Sequence, residues 1–259
     1  MSVPKIYGLD SLGGLLILED FGDQVFAGLM ESDKRREVDL YRNAIDALIH
    51  LRTLKPPNNL GIASSEVLTC MLDPFFDHYV DENHKDLTIF SALQRQLGDA
   101  LSVVDHGKRI FSLRDFHSEN LMFLEGRRGF ASVGLLDFQD AFVCHPAYDL
   151  VSLLQDARRR VTAEIEKDMI TYYLSKSDDN KENFLFSYRI LGVQRNLRIL
   201  GIFARLARKQ SRSPYLALIP RVRGYIHRNL SAAEFEVWRD DLMSLLSAPV
   251  GDLESAIHV

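Results

Sequence analysis

A chain of 259 residues, 46% hydrophobic and 26% charged, is long enough for one large domain or two small ones with a sizeable core. Its formal net charge of −5 argues against nucleic acid or an anionic membrane as the main partner. The two cysteines, Cys70 and Cys144, make no disulfide framework and read as reduced, buried thiols. No apolar run approaches the roughly 18 residues of a spanning helix, and the N-terminus shows no basic-then-apolar signal, so a cytoplasmic protein is expected.

Leu15–Leu18 is a fully apolar run between Gly13-Gly14 and Glu19-Asp20-Phe21-Gly22-Asp23, which predicts a buried strand running into a turn. Over residues 38–54, Val38, Tyr41, Ile45, Leu48, Ile49 and Leu51 keep helical spacing until Pro56-Pro57 and Asn58-Asn59 stop it. Leu87, Phe90, Leu93, Leu97, Leu101 and Val104 mark another amphipathic helix, closed by Gly107. Residues 110–113 read as a short strand. Residues 121–124 and 133–136 read as a β-hairpin around residues 125–129. From Asp149 onward the periodicity is helical, broken near residues 177–180, at Ser213-Pro214 and near Pro249. There are no internal repeats. The expected fold is a mostly helical domain with a small β-insert.

Two blocks in that insert carry the chemistry. Residues 113–120 read Leu-Arg-Asp-Phe-His-Ser-Glu-Asn, and residues 135–140 read Leu-Leu-Asp-Phe-Gln-Asp. Asn120 follows Asp115 by five positions, and Asp137 ends an apolar run seventeen positions past Asn120. Phosphoryl transfer from ATP asks for these parts in this order. One carboxylate orients the acceptor hydroxyl and takes its proton; an Asn and an Asp then hold magnesium. An isolated Asp-x-x-x-x-Asn recurs by chance as a turn or cap. Here the predicted hairpin returns Asp137 to the side of Asn120, and apolar segments flank both blocks, as a partly dry site requires.

Other residues keep two readings. His117 lacks a second ligand at metal spacing and reads as a loop-bracing hydrogen bonder. Arg114 suits a phosphate or a salt bridge to a nearby carboxylate; Asp140 suits orientation of Asp137, a share in the metal, or a plain hairpin exit. Asp149 is placed to cap the next helix. Arg195, Arg198, Arg205 and Arg208 fall near one helix face, with Lys209 and Arg212 following; a solvated face is preferred to an anion-attracting one. Asp73-Pro74-Phe75-Phe76-Asp77-His78-Tyr79 suits a sugar-binding lining, with core packing the commoner explanation.

At these blocks the chain resembles the aminoglycoside phosphotransferase family, whose motif is His-x-Asp-x-x-x-x-Asn followed by an Ile-Asp-x-x-Asp-like block. More narrowly, it is similar to bacterial anomeric kinases that phosphorylate N-acetylmuramate and N-acetylglucosamine at C1 in cell-wall recycling. That similarity extends over residues 15–23, 150–159, 194–201 and 215–222. The resemblance implies an α+β, protein-kinase-like fold, mainly the helical C-lobe with a small β-hairpin insert. Residues 1–24 would be an N-lobe remnant and hinge, and residues 25–259 the helical C-lobe. It implies that Asp115 is the catalytic base, that Asn120 and Asp137 bind magnesium and the nucleotide, and that Glu19, Asp20 and Phe21 form the hinge against adenine. Asp149 would brace the catalytic loop from below. ATP and Mg²⁺ are the implied cofactors and an amino sugar the implied acceptor. An aminoglycoside or choline-like alcohol, or no catalysis at all, are the rival readings.

Two departures stand out. Leu113 replaces the family's usual His. Only fourteen residues precede Leu15, with no Gly-x-Gly-x-x-Gly among them, and Lys5 is too near the hinge to grip phosphates. The resemblance therefore implies that most of the N-lobe is missing and that the apolar hinge strand loses its cover.

Overall fold

The computed structural model describes residues 1–80, 87–209 and 214–247. In chain order the strands are β1 (Ile6–Asp10), β2 (Leu15–Leu18), β3 (Ile110–Ser112), β4 (Leu121–Phe123), β5 (Val133–Leu135) and β6 (Phe142–Cys144). The helices are α1 (Phe26–Ser32), α2 (Glu37–Leu51), α3 (Ser65–Cys70), α4 (Leu87–Leu101), α5 (Val103–His106), α6 (Ala147–Leu154), α7 (Ala163–Ser175), α8 (Lys181–Lys209), α9 (Ile219–Leu230) and α10 (Glu236–Ser247). Three antiparallel strand pairs form, β1 with β2, β3 with β6 and β4 with β5. The architecture is α+β, with small sheets set among helices.

The described chain divides into two compact units, one of Met1–Leu60 with Ile110–Asp179, the other of Gly61–Arg109 with the described residues from Asn180 onward. In the first, α2 starts with Glu37 and Asp39 in its first turn, where carboxylates complement the helix dipole. It buries Leu40, Tyr41, Ala44, Ile45, Leu48 and Leu51 along one face. Val38 and Ile49, expected on that stripe, lie off it. α6 is buried on every residue, Asp149 and Ser152 included. α7 begins at Thr162, whose hydroxyl accepts the Ile165 N–H at 3.3 Å. Arg52, at the end of α2, closes the unit: its guanidinium is bonded to Tyr173, Asp178 and Asp179.

In the second unit the core gathers around α8. A π-helical turn over Phe75–Tyr79 buries Phe75, Phe76 and Tyr79, with Phe75 stacked on Tyr79 at 5.3 Å between ring centroids. The aromatics of that segment are core packing. α8 reaches the turn through Gly201, where a Cβ would lie 2.2 Å from the Pro74 carbonyl carbon and 2.3 Å from the Phe75 nitrogen. Arg205 and Arg208 are exposed as expected of a solvated face, but Arg195, only 7% exposed, lies inside this core. Gln194 and Asn196 beside it are fully buried.

Several sequence expectations hold. The hairpin forms, pairing Leu121 with Leu135 and Phe123 with Val133, and residues 110–112 form a strand. The second amphipathic helix breaks at Ser102 into α4 and α5 before Gly107. Others are corrected. β2 forms, but its four residues are 64, 52, 63 and 43% exposed, against the buried strand that the apolar run alone suggests and in agreement with the loss of cover that the resemblance implies; among the described residues no layer covers either face of the β1–β2 hairpin. Cys144 is buried, but Cys70 is exposed; both are free thiols. Arg212, Ser213 and Pro249 lie outside the described residues. Among the described residues no helix is long and apolar enough to cross a membrane.

Candidate active site

The loop between β3 and β4 holds Asp115 and Asn120 and is anchored from beneath by Asp149. That carboxylate accepts the Ser112 hydroxyl at 2.8 Å, the Leu113 N–H at 2.7 Å and the Arg114 N–H at 2.9 Å. It is 1% exposed, and these donors offset the cost of burying it. Asp149 stands in the first turn of α6, and no side-chain bond caps that helix. The capping expectation is thus corrected: the carboxylate turns to the loop. Three bonds converging on residues 112–114 hold Arg114 at φ 69°, a left-handed conformation unusual for a side-chain-bearing residue. Leu113, in the place of the family's His, is buried.

The far end of the loop meets Asp137. Asn120 Nδ2 donates to the Asp115 carbonyl at 3.0 Å and to Asp137 Oδ2 at 3.3 Å. Two acceptors on one side fix the amide flip, since only the NH₂ group can satisfy both. Asn120 Oδ1 is then turned to the opposite side, as an oxygen ligand requires. Asp137 is also left-handed, at φ 56°, and Gln139 Nε2 donates to its Oδ1 at 2.6 Å. Gln139 therefore does the orienting that was one of the readings open for Asp140. Asp140 instead pairs with Arg114 at 3.4 Å, the salt-bridge reading of that arginine. Nothing in the spacing of the second block singles out Gln139; only the turn after β5 brings its amide round.

An amide oxygen and a carboxylate fit magnesium, which binds through one or two protein groups plus phosphate oxygens and water. Among the described residues there is no cluster of three His, Cys, Asp or Glu side chains that could hold a metal ion, and His117 sits against an arginine. Its Nε2 lies 3.4 Å from Arg158, and the ring is buried within the loop.

The segment carrying Glu19, Asp20 and Phe21 rests on the same β4–β5 hairpin. Glu19 accepts from Arg127 at 3.0 Å and from the Lys5 N–H at 3.1 Å. Asp20 accepts the Gly22 N–H at 2.8 Å, closing a turn. Phe21 lies under the Arg127 guanidinium at 5.7 Å and edges onto Gly134, where a Cβ would come within 2.8 Å of the ring. Residue 2 pairs with the other edge of β5: the Ser2 N–H donates to Val133 at 2.7 Å, and Ser2 accepts from Leu135 at 2.9 Å. One hairpin thus carries the hinge candidates at Gly134, with Asn120 just before its first strand and Asp137 just after its second.

The model of the APH phosphotransferase enzyme family matches residues 1–185. The chain belongs to the APH phosphotransferase enzyme family. This APH member is 36% identical over 256 residues to an N-acetylmuramate/N-acetylglucosamine kinase of Caulobacter vibrioides, covering 93% of this chain and 70% of that protein. A protein of the same name from Neisseria meningitidis is 31% identical over 269 residues, covering 98% and 77%. In structure, a choline/ethanolamine kinase family protein from Mesorhizobium loti superposes with a TM-score of 0.64 at 14% identity, covering 94% of this chain and 78% of that one. The APH member is a phosphotransferase with a protein-kinase-like α+β fold.

Proposed function

We propose that this phosphotransferase is an ATP- and magnesium-dependent kinase of amino sugars, acting on the anomeric hydroxyl of N-acetylmuramate or N-acetylglucosamine. The observation that carries the acceptor is the 36% identity to the Caulobacter vibrioides kinase across 93% of the chain. Asp115 orients the sugar hydroxyl and takes its proton as the new O–P bond to the γ-phosphorus forms and the bond to the β–γ bridging oxygen breaks, releasing ADP. Asn120 Oδ1 and the Asp137 carboxylate hold magnesium, whose charge neutralises the phosphate oxygens when it is bound. The backbone of Glu19, Asp20 and Phe21 receives adenine, with the Phe21 ring seated on Gly134. In this reading residues 1–24 are the N-lobe remnant and hinge, residues 25–259 are the helical lobe, and the protein works in the cytoplasm, where ATP is supplied.

The deciding experiment is an ATP-consumption screen over N-acetylmuramate, N-acetylglucosamine, choline and an aminoglycoside, with phosphorus NMR of the product. Turnover of the amino sugars with a phosphate on C1 is expected. Turnover of choline or the aminoglycoside instead would move the acceptor to another class. Turnover of none would favour a binding protein.

A further inference from the structure

Asp149 holds only the entry of the catalytic loop. A second carboxylate holds its exit. Asp156, on the segment leaving α6, is 2% exposed, and its Oδ2 accepts the hydroxyl of Ser118, which is 0% exposed, at 2.8 Å. Its Oδ1 accepts the Arg158 N–H at 2.8 Å, which turns Arg158 back over the loop. Arg158 Nε then meets Glu119 at 3.0 Å, and its NH1 lies 3.4 Å from His117 Nε2. Three consecutive loop residues are thereby tied to one short segment. From the other side the Ser118 carbonyl accepts the Ala27 N–H at 3.1 Å. Asp115 and Asn120 flank the tied residues, the first two positions before His117 and the second directly after Glu119.

We propose that Asp156, Ser118 and Arg158 form a latch that sets the positions of Asp115 and Asn120, and that they are positioning residues for phosphoryl transfer. The inference rests on the kinase reading above. A buried carboxylate with two donors is costly to leave unpaired, so it stays where its donors are and transmits the rigidity of α6 to the loop. Because neither Asp156 nor Ser118 is exposed, neither contacts substrate. Loosening the latch therefore misplaces the reacting groups without changing the binding surface, and small misplacements are costly in rate.

The test uses Ser118→Ala, Arg158→Ala and the double variant Ser118→Ala/Asp156→Asn. Expected are a fall in kcat of about tenfold or more for Ser118→Ala, KM values within about twofold of wild type, and a double variant no worse than Ser118→Ala, because both break the same bond. Hydrogen–deuterium exchange should quicken on the peptide spanning residues 113–121 and stay unchanged in α2 and α7. Arg158→Ala, altering a partly exposed side chain, should show the same pattern more weakly. Wild-type kcat in both single variants overturns the latch. So does a loss of kcat accompanied by faster exchange throughout the unit, which would mark ordinary destabilisation. If the wild-type protein phosphorylates no acceptor, the kinase reading has failed. The latch is then judged on loop exchange and on the magnesium enhancement of ATP affinity by calorimetry. Wild-type values of both would overturn it.

Discussion

Asp115 is placed by its neighbours: its carbonyl accepts from Asn120, and its loop hangs from Asp149. Asp115→Asn keeps the backbone bonds of the loop and, in the kinase reading, removes the base. For Asp115→Asn we expect a fall in kcat of about 10²–10⁴-fold with unchanged melting, and near wild-type turnover would show that the base lies elsewhere. Asp137 is different, because Gln139 and Asn120 both donate to its oxygens. Asp137→Ala removes the carboxylate to which Asn120 donates. ATP titrations at matched ionic strength should lose their magnesium enhancement in that variant; a full enhancement would place the metal at another site.

At the scale of elements, the site is a product of the β4–β5 hairpin and α6. The hairpin joins the hinge candidates to Asn120 and Asp137, and α6 supplies Asp149 beneath the loop. α8 does the comparable work in the second unit. A glycine is required at 201 because the helix backbone approaches that of Pro74 and Phe75 too closely for any side chain. The atoms a methyl group would meet are backbone, which cannot rotate away. Gly201→Ala should therefore cost about 3 kcal/mol, against the fraction of a kcal/mol gained when Ala replaces Gly in an unobstructed helix. Urea unfolding measures it, and a neutral or stabilising effect would show that α8 can move off the turn freely.

For the molecule as a whole, His145 sets a pH response. Burial pushes its imidazole down to about 4, with Asp179 opposing and Arg52 assisting. The unfolded chain takes up this proton near pH 6.5 and the folded chain only near 4, so between those values the unfolded state binds more protons. Stability should be full above about pH 6.5 and fall as the pH drops toward 4, by about 3 kcal/mol from this residue. Denaturant titrations from pH 7 to 4 on wild type and His145→Gln check it: the variant should lose less over that window, and parallel curves would refute the assignment. The β1–β2 hairpin sets a second property. Leu9 and Leu16 face one another in register and are 70 and 52% exposed, beside Tyr7, Leu15 and Ile17. An apolar two-stranded ribbon with open edges favours association. Light scattering should show self-association that the pair Leu9→Lys and Leu16→Lys reduces; equal scattering would mean the ribbon is not the contact.

The sequence by itself determined the helical periodicity, the β4–β5 hairpin and the positions of Asp115, Asn120 and Asp137. These depend on local spacing and on apolar runs flanking polar blocks, which the chain carries in one dimension. What tertiary structure decided is which polar groups pair. Local spacing left Asp149 open to capping α6, and its carboxylate is given to the loop, as the resemblance implied; Asp140, for which orienting Asp137 was one reading among several, pairs with Arg114, leaving Gln139 to orient it. Arg195 sat on a basic stripe of α8 and is buried, while β2, whose apolar run alone reads as an interior strand, is exposed as the loss of its cover implied. Each outcome turns on what packs over a residue from a distant part of the chain. Hydrogen-bond partners and burial arise from long-range placement, and a single sequence specifies that placement only through the fold it produces.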